Sequence, residues 1–86
     1  MLAADEVVAV TLRCKASVMN AIIGRFGRSV RTKAVSEDEF VTTVKVCPSA
    51  TFYRWVFGWG NQIRIEGPRA VKDEYRRRLM EALEQA

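Results

Sequence analysis

Three arginines, Arg25, Arg28 and Arg31, follow one another at a spacing of three in the stretch GRFGRSVR, and a fourth, Arg54, stands beside Trp55. A guanidinium carries a planar fork of donors suited to bidentate binding of phosphate or carboxylate. Cations at the end of a helix also offset the negative end of its dipole, but that effect, at most about 1 kcal/mol, does not require three of them. The four arginines are therefore candidates for contact with an anion, with nucleic acid or with a partner domain. The rest of the composition narrows the chemistry. There is no histidine, which removes the commonest general base and every Ser-His or Cys-His nucleophile pair. Cys14 and Cys47 stand apart, with no CxxC pair, so neither a zinc site nor a c-type haem site can be assembled. Two free thiols are expected in preference to a disulfide. No catalytic residue, metal ligand or cofactor is expected.

The second feature is the aromatic stretch FYRWVFGWGNQIRIEGP at residues 52–68. Phe52, Trp55, Val56 and Trp59 recur at i, i+3, i+4 and i+7, which puts them on one side of a helix and predicts that they face the core. Tyr53 and Phe57 project at another angle and are left over for an interface. Gly58 and Gly60 end the helix and permit a turn with positive φ. No helix N-terminus follows them directly, so GWG is a poor phosphate cradle.

The elements that must position these residues follow from periodicity. Residues 6–13, EVVAVTLR, alternate as a half-buried strand. Between Lys15 and Phe26, the residues Val18, Met19, Ile22, Ile23 and Phe26 form one helical stripe, stopped by Gly27. SVRTKAV and FVTTVKV, separated by SEDE, read as an antiparallel hairpin. Ser49 is the expected N-cap of the aromatic helix, Ile63 and Ile65 alternate in a short fourth strand, and Pro68 opens a last helix reaching Gln85. That helix carries Val71, Tyr75, Leu79, Ala82 and Leu83 on its apolar side. The pairs Asp73–Arg77, Glu74–Arg78 and Arg77–Glu81 support its exposed face, at a few tenths of a kcal/mol each. The order β-α-β-β-α-β plus a C-terminal helix predicts an α+β fold, a ferredoxin-like two-layer sandwich in one domain over residues 1–86.

With Val8, Val10, Leu12, Phe40, Thr42, Val44, Val46, Ile63 and Ile65 facing inward, the open face of the sheet carries Arg31, Lys33, Thr43, Lys45, Arg64 and Glu66. A net charge of +4 and an isoelectric point near 9.5 make an anionic partner reasonable. Outward positions of strands one and three hold Val7, Ala9, Thr11, Val41, Thr43 and Lys45, without the aromatics on which RNA-recognition sheets stack bases. The apolar runs are too short to span a bilayer, and MLAADEVVAV is acidic where a signal peptide is basic, so a soluble, cytoplasmic protein with no membrane partner is expected.

The residues Arg54, Trp55, Gly58, Gly60, Ile63, Ile65 and Pro68, with GRFG at Gly24 to Gly27, resemble the C-terminal extension (WCX domain) of WYL-domain bacterial transcriptional regulators. The resemblance covers essentially the whole chain. It implies a fragment of a longer regulator, whose winged helix-turn-helix reads DNA and whose middle WYL domain senses an effector. It also implies that the extension packs on the WYL domain, often across a homodimer, and that in some members the effector is single-stranded nucleic acid. Arg25, Arg28, Arg31 and Arg54 are then the contacts for that nucleic acid or for the partner domain. Two other classes compete. An acylphosphatase-type enzyme would share the fold, but RCKASVMN passes from strand to helix without a glycine-rich cradle. A stand-alone small-molecule-sensing dimerisation module would use Tyr53 and Phe57 as its apolar contacts.

Overall fold

A computed structural model describes residues 6–86; the N-terminal half of the acidic stretch, residues 1–5, lies outside the described residues. Four strands, β1 (Val8–Lys15), β2 (Thr32–Ala34), β3 (Glu39–Val46) and β4 (Ile63–Gly67), form one sheet in the order β2-β3-β1-β4. Every pairing is antiparallel. Three α-helices accompany them: α1 (Met19–Phe26), α2 (Ala50–Gly58) and α3 (Arg69–Gln85). This is the expected α+β, ferredoxin-like arrangement with an added C-terminal helix. β1 and β2 are separated in the sheet by β3, and β3 and β4 by β1, as two interleaved βαβ units require.

The strand pattern works as alternation predicts. Val10, Leu12 and Cys14 of β1, Phe40, Thr42 and Val44 of β3, and Ile63 and Ile65 of β4 are buried beneath the helices. Thr42, the one buried polar residue among those described, donates its hydroxyl hydrogen to the Arg31 carbonyl at 2.6 Å. The helix boundaries also have their sequence causes. Gly27, at φ 93°, closes α1 with its N–H on the Ile23 carbonyl at 2.8 Å; a left-handed conformation of this kind favours glycine. The Ser49 hydroxyl accepts from the Phe52 N–H at 3.4 Å and caps α2, and Pro68 stands just before the first turn of α3.

Several elements differ from expectation. β1 starts at Val8 and continues to Lys15, and the first helix opens with a single 3-10 turn, Ala16–Val18, before α1. β2 has only three residues, all exposed. It is an edge strand, and its β-branched neighbours Val30 and Val35 fall outside it, where no second partner extends the ladder. Asp73 pairs backward with Arg69 at 3.6 Å, not forward with Arg77. Arg77 is held by Glu74 at 2.7 Å and Glu81 at 2.9 Å, while Arg78 joins Glu74 at 2.8 Å. Ala82 and Leu83, expected on the packed side of α3, are exposed, as is every residue from Met80 to the end of the helix.

The largest correction concerns α2. Its buried side is Phe52, Tyr53 and Val56, so the helix is turned relative to the expected stripe. Tyr53, expected at an interface, is 4% exposed. Its ring stacks on Tyr75 of α3 at 5.9 Å and meets Phe52 edge-on, and the Arg78 guanidinium lies 4.8 Å from the Tyr53 ring centre. Burial pushes the Tyr53 phenol above its ordinary value. Trp55 and Trp59, expected in the core, are half-buried. They form an edge-to-face chain with Phe26 of α1, at 5.5 Å and 6.4 Å, and so join the two helices at the margin of the core.

Candidate functional site

The open face of the sheet holds one group of basic residues and most of a second, with opposite environments. At the end of the sheet where β1 finishes, Lys15 lies opposite Glu39 in the β1–β3 register. Glu39 receives Lys15 at 3.0 Å, Arg13 at 2.9 Å and Arg64 at 3.5 Å, and Arg13 reaches Glu66 at 3.5 Å. Hydrogen bonds from Lys15 and then Arg13 hold the Glu39 carboxyl below its ordinary range, and Glu39 in turn raises Arg13. Near the middle of this face, Thr11 and Thr43 face each other across the ladder, with their hydroxyls 2.9 Å apart.

The other group has no carboxylate. Arg31, Lys33 and Lys45 line one groove along β2 and β3 with Thr32 and Thr43. Around the end of β3, Lys45 also lines a second groove with Arg25, Ser49 and Thr51. No Asp or Glu lines either groove. Arg25, Arg31, Lys33 and Lys45 make no ion pair among the described residues. The result is a basic strip running from the β2 edge to the mouth of α2, with Lys45 shared by its two segments.

The structure therefore gathers two of the four expected arginines. Arg31 and Arg25 lie on the strip, while Arg28 and Arg54, both exposed, line neither groove. Arg25 is held in place by Trp55, with its guanidinium 5.2 Å from the indole ring centre. Lys33 and Lys45 replace Arg28 and Arg54 in the group. Alternation alone had put both lysines on the open face; what sequence could not supply was the turn around the end of β3 that brings Lys45 beside Arg25.

Of the two expected interface aromatics, only Phe57 is at the surface, 62% exposed. It borders a groove of about 570 Å³ along the free edge of β4, with Tyr75 and Leu79 of α3 on its other wall. Cys14 and Cys47 are free thiols, and burial pushes Cys14 up to about 11. Among the described residues, no group of three or more Cys, Asp or Glu is placed to hold a metal ion, and no helix is long and apolar enough to cross a membrane.

Residues 6–83 match the WCX domain family. The chain belongs to the WCX family. That family is a regulatory one, made of the C-terminal domains of WYL-type regulators. The WCX match takes in the whole sheet and most of α3, including every residue of the basic strip. A comparison with curated proteins found no match.

Proposed function

We propose that this WCX domain is the C-terminal regulatory and dimerisation domain of a bacterial HTH-type WYL transcriptional regulator. In this reading it packs on the WYL domain, contacts an anionic effector such as single-stranded nucleic acid, and leaves operator binding to the HTH domain. It works in the cytoplasm and without catalysis or cofactor. The observation that carries the reading is the strip of Arg25, Arg31, Lys33 and Lys45, four cations with no carboxylate among them in a molecule that neutralises its other sheet cations. Unpaired cations along a groove attract a polyanion and release its counterions on binding. With Ala9, Thr11, Val41 and Thr43 on the open face, no aromatic is available for base stacking, so contact is with the backbone and tolerant of sequence. Phe57, exposed and beside the β4 edge, supports packing on a partner domain.

Fluorescence anisotropy of labelled single-stranded DNA at two salt concentrations tests the effector contact. Binding that weakens steeply with salt, and is lost in Arg31→Ala/Lys33→Ala/Lys45→Ala but kept in Arg28→Ala/Arg54→Ala, is the expected result. Absence of binding at low salt sinks the effector role and leaves a packing module.

A further inference from the structure

The outer face of α3 carries a pattern that the single chain does not use. Met80 lies nine residues from the buried Val71, two and a half turns on, and so points directly away from the core. Met80 is 61% and Leu83 78% exposed, and every residue from Met80 to the end of the helix is exposed. Leu79 and Leu83 run beside Met80 as a short apolar ridge. Four residues before and four after Met80 stand Arg76 and Glu84, on the same helical face; Arg76, Met80 and Glu84 border one surface. The remaining charges of the middle of α3 are satisfied within the helix: Glu74 with Arg77 and Arg78, and Glu81 with Arg77. Arg76 and Glu84 make no ion pair among the described residues.

That symmetry is self-complementary. We infer that α3 is a dimerisation helix that pairs antiparallel with α3 of a second copy, about a two-fold axis passing beside Met80. In that arrangement Met80 meets Met80 of the other copy, and the residue four before faces the residue four after. Arg76 of each copy then meets Glu84 of the other, twice over, as an isologous interface requires, and Leu79 and Leu83 are covered from both sides. A parallel pair would set Arg76 against Arg76 and Glu84 against Glu84, and opposite register is favoured by that repulsion. One helix pair buries less than the roughly 1,200 Å² of a stable interface, so the dimer is reversible and depends on concentration. The inference deepens the dimerisation part of the proposed function and is independent of its nucleic-acid part.

Sedimentation equilibrium of the 86-residue chain, from micromolar to millimolar concentration, reads the association. The expected result is a mass rising toward the dimer, lost in Leu83→Asp. Arg76→Glu and Glu84→Arg should each weaken the dimer about tenfold or more, since like charges then meet at two symmetric points. The double variant Arg76→Glu/Glu84→Arg should restore it, because the reversed charges again pair. All these positions are exposed, so the melting curves of the variants should stay close to that of the parent. In a Cys47→Ser background, Met80→Cys should form a disulfide-linked dimer on mild oxidation, since the axis brings the two thiols together. A chain that is monomeric throughout overturns the inference, even if it binds single-stranded DNA, in which case the effector reading survives. A dimer insensitive to Leu83→Asp, or one that the double charge variant fails to restore, overturns it as well.

Discussion

Two basic regions, one on the open sheet face and one running from that face around the end of β3 to Arg25 of α1, are built from the same residue types and come to opposite ends. Arg13, Lys15 and Arg64 converge on Glu39, a side chain only 12% exposed, and become structural. Arg25, Arg31, Lys33 and Lys45 have no such centre and remain open to a partner. What separates them is one carboxylate at the first position of β3. The antiparallel register sets Glu39 directly opposite Lys15, with Arg13 two positions further along β1 and Arg64 opposite Arg13 on the neighbouring strand. At the other end of β3, Lys45 lies opposite Ala9, and the register offers it nothing. Local charge density is therefore a poor guide to an anion site; the pairing partner across the ladder decides whether a cation is available.

The sharpest way to break the comparison is Glu39→Gln. Lys15 and Arg64 then lose their carboxylate, while Arg13 keeps Glu66. The closed region should come to resemble the open one. If single-stranded DNA binds the strip, the variant should bind it more tightly, with the salt slope steeper by about 1.4, or about 0.7 for each freed cation that takes up a phosphate. Its melting temperature should fall, since Arg13, Lys15 and Arg64 then crowd together with only Glu66 left to offset their charge. Unchanged salt dependence together with unchanged melting would show that Glu39 does not govern this face.

Acid should have a related but smaller effect. The Glu39 carboxyl is depressed by Lys15 and Arg13, and the Glu74 carboxyl is held at about 2, first by the hydrogen bond from Arg77 and then by that from Arg78. A group whose folded value lies below its unfolded one stabilises the fold fully above the unfolded value, and loses that contribution as pH falls through the folded value. From the ordinary 4.5 down to about 2, the chain should therefore lose stability steadily. Circular-dichroism melts across that range check the sign, and Glu39→Gln should flatten the curve. A curve of equal steepness in the variant would assign the acid sensitivity elsewhere.

The sequence was most legible where one residue type has one physical use. Val10, Leu12, Ile63 and Ile65 alternate because a half-buried strand must, Gly27 stops α1 because its φ is positive, and Ser49 caps α2. Strand order followed from those elements. The phase of α2 was not legible, and the reason lies in its own composition. Phe52, Tyr53, Trp55, Val56 and Phe57, with Trp59 at the C-cap, make this short helix apolar nearly all round, so periodicity cannot choose the buried side. The choice is made by α3, which brings Tyr75 and Arg78 against Tyr53, a contact between residues too distant in the chain for any local pattern. The site was hidden in the same manner. Arg25 and Lys45 are visible as cations, but that they share a groove depends on how β3 turns into α2, and SEDE reads as a polar turn until the ladder shows that its final glutamate is the centre of a charge network.

The smallest expected effect distinguishes the two duties of Arg25. Its guanidinium rests on Trp55 at 5.2 Å, in reach of the ring's negative face, and the same side chain borders the groove shared with Lys45. An exposed cation–π contact contributes about 0.5–1 kcal/mol, so Arg25→Ala should lower the urea midpoint slightly, with an unchanged slope, because no core surface is lost. If Arg25 also contacts phosphate, the variant should in addition reduce the salt slope of single-stranded DNA binding by about 0.7. Arg25→Lys separates the two, since it keeps the charge but loses the planar guanidinium that stands 5.2 Å from the indole ring centre. A lysine variant that restores the salt slope but not the urea midpoint makes Arg25 a phosphate contact positioned by Trp55. One that restores neither makes the fit of the guanidinium to the ring the condition for its availability, and ties the open end of the sheet to the aromatic chain between α1 and α2.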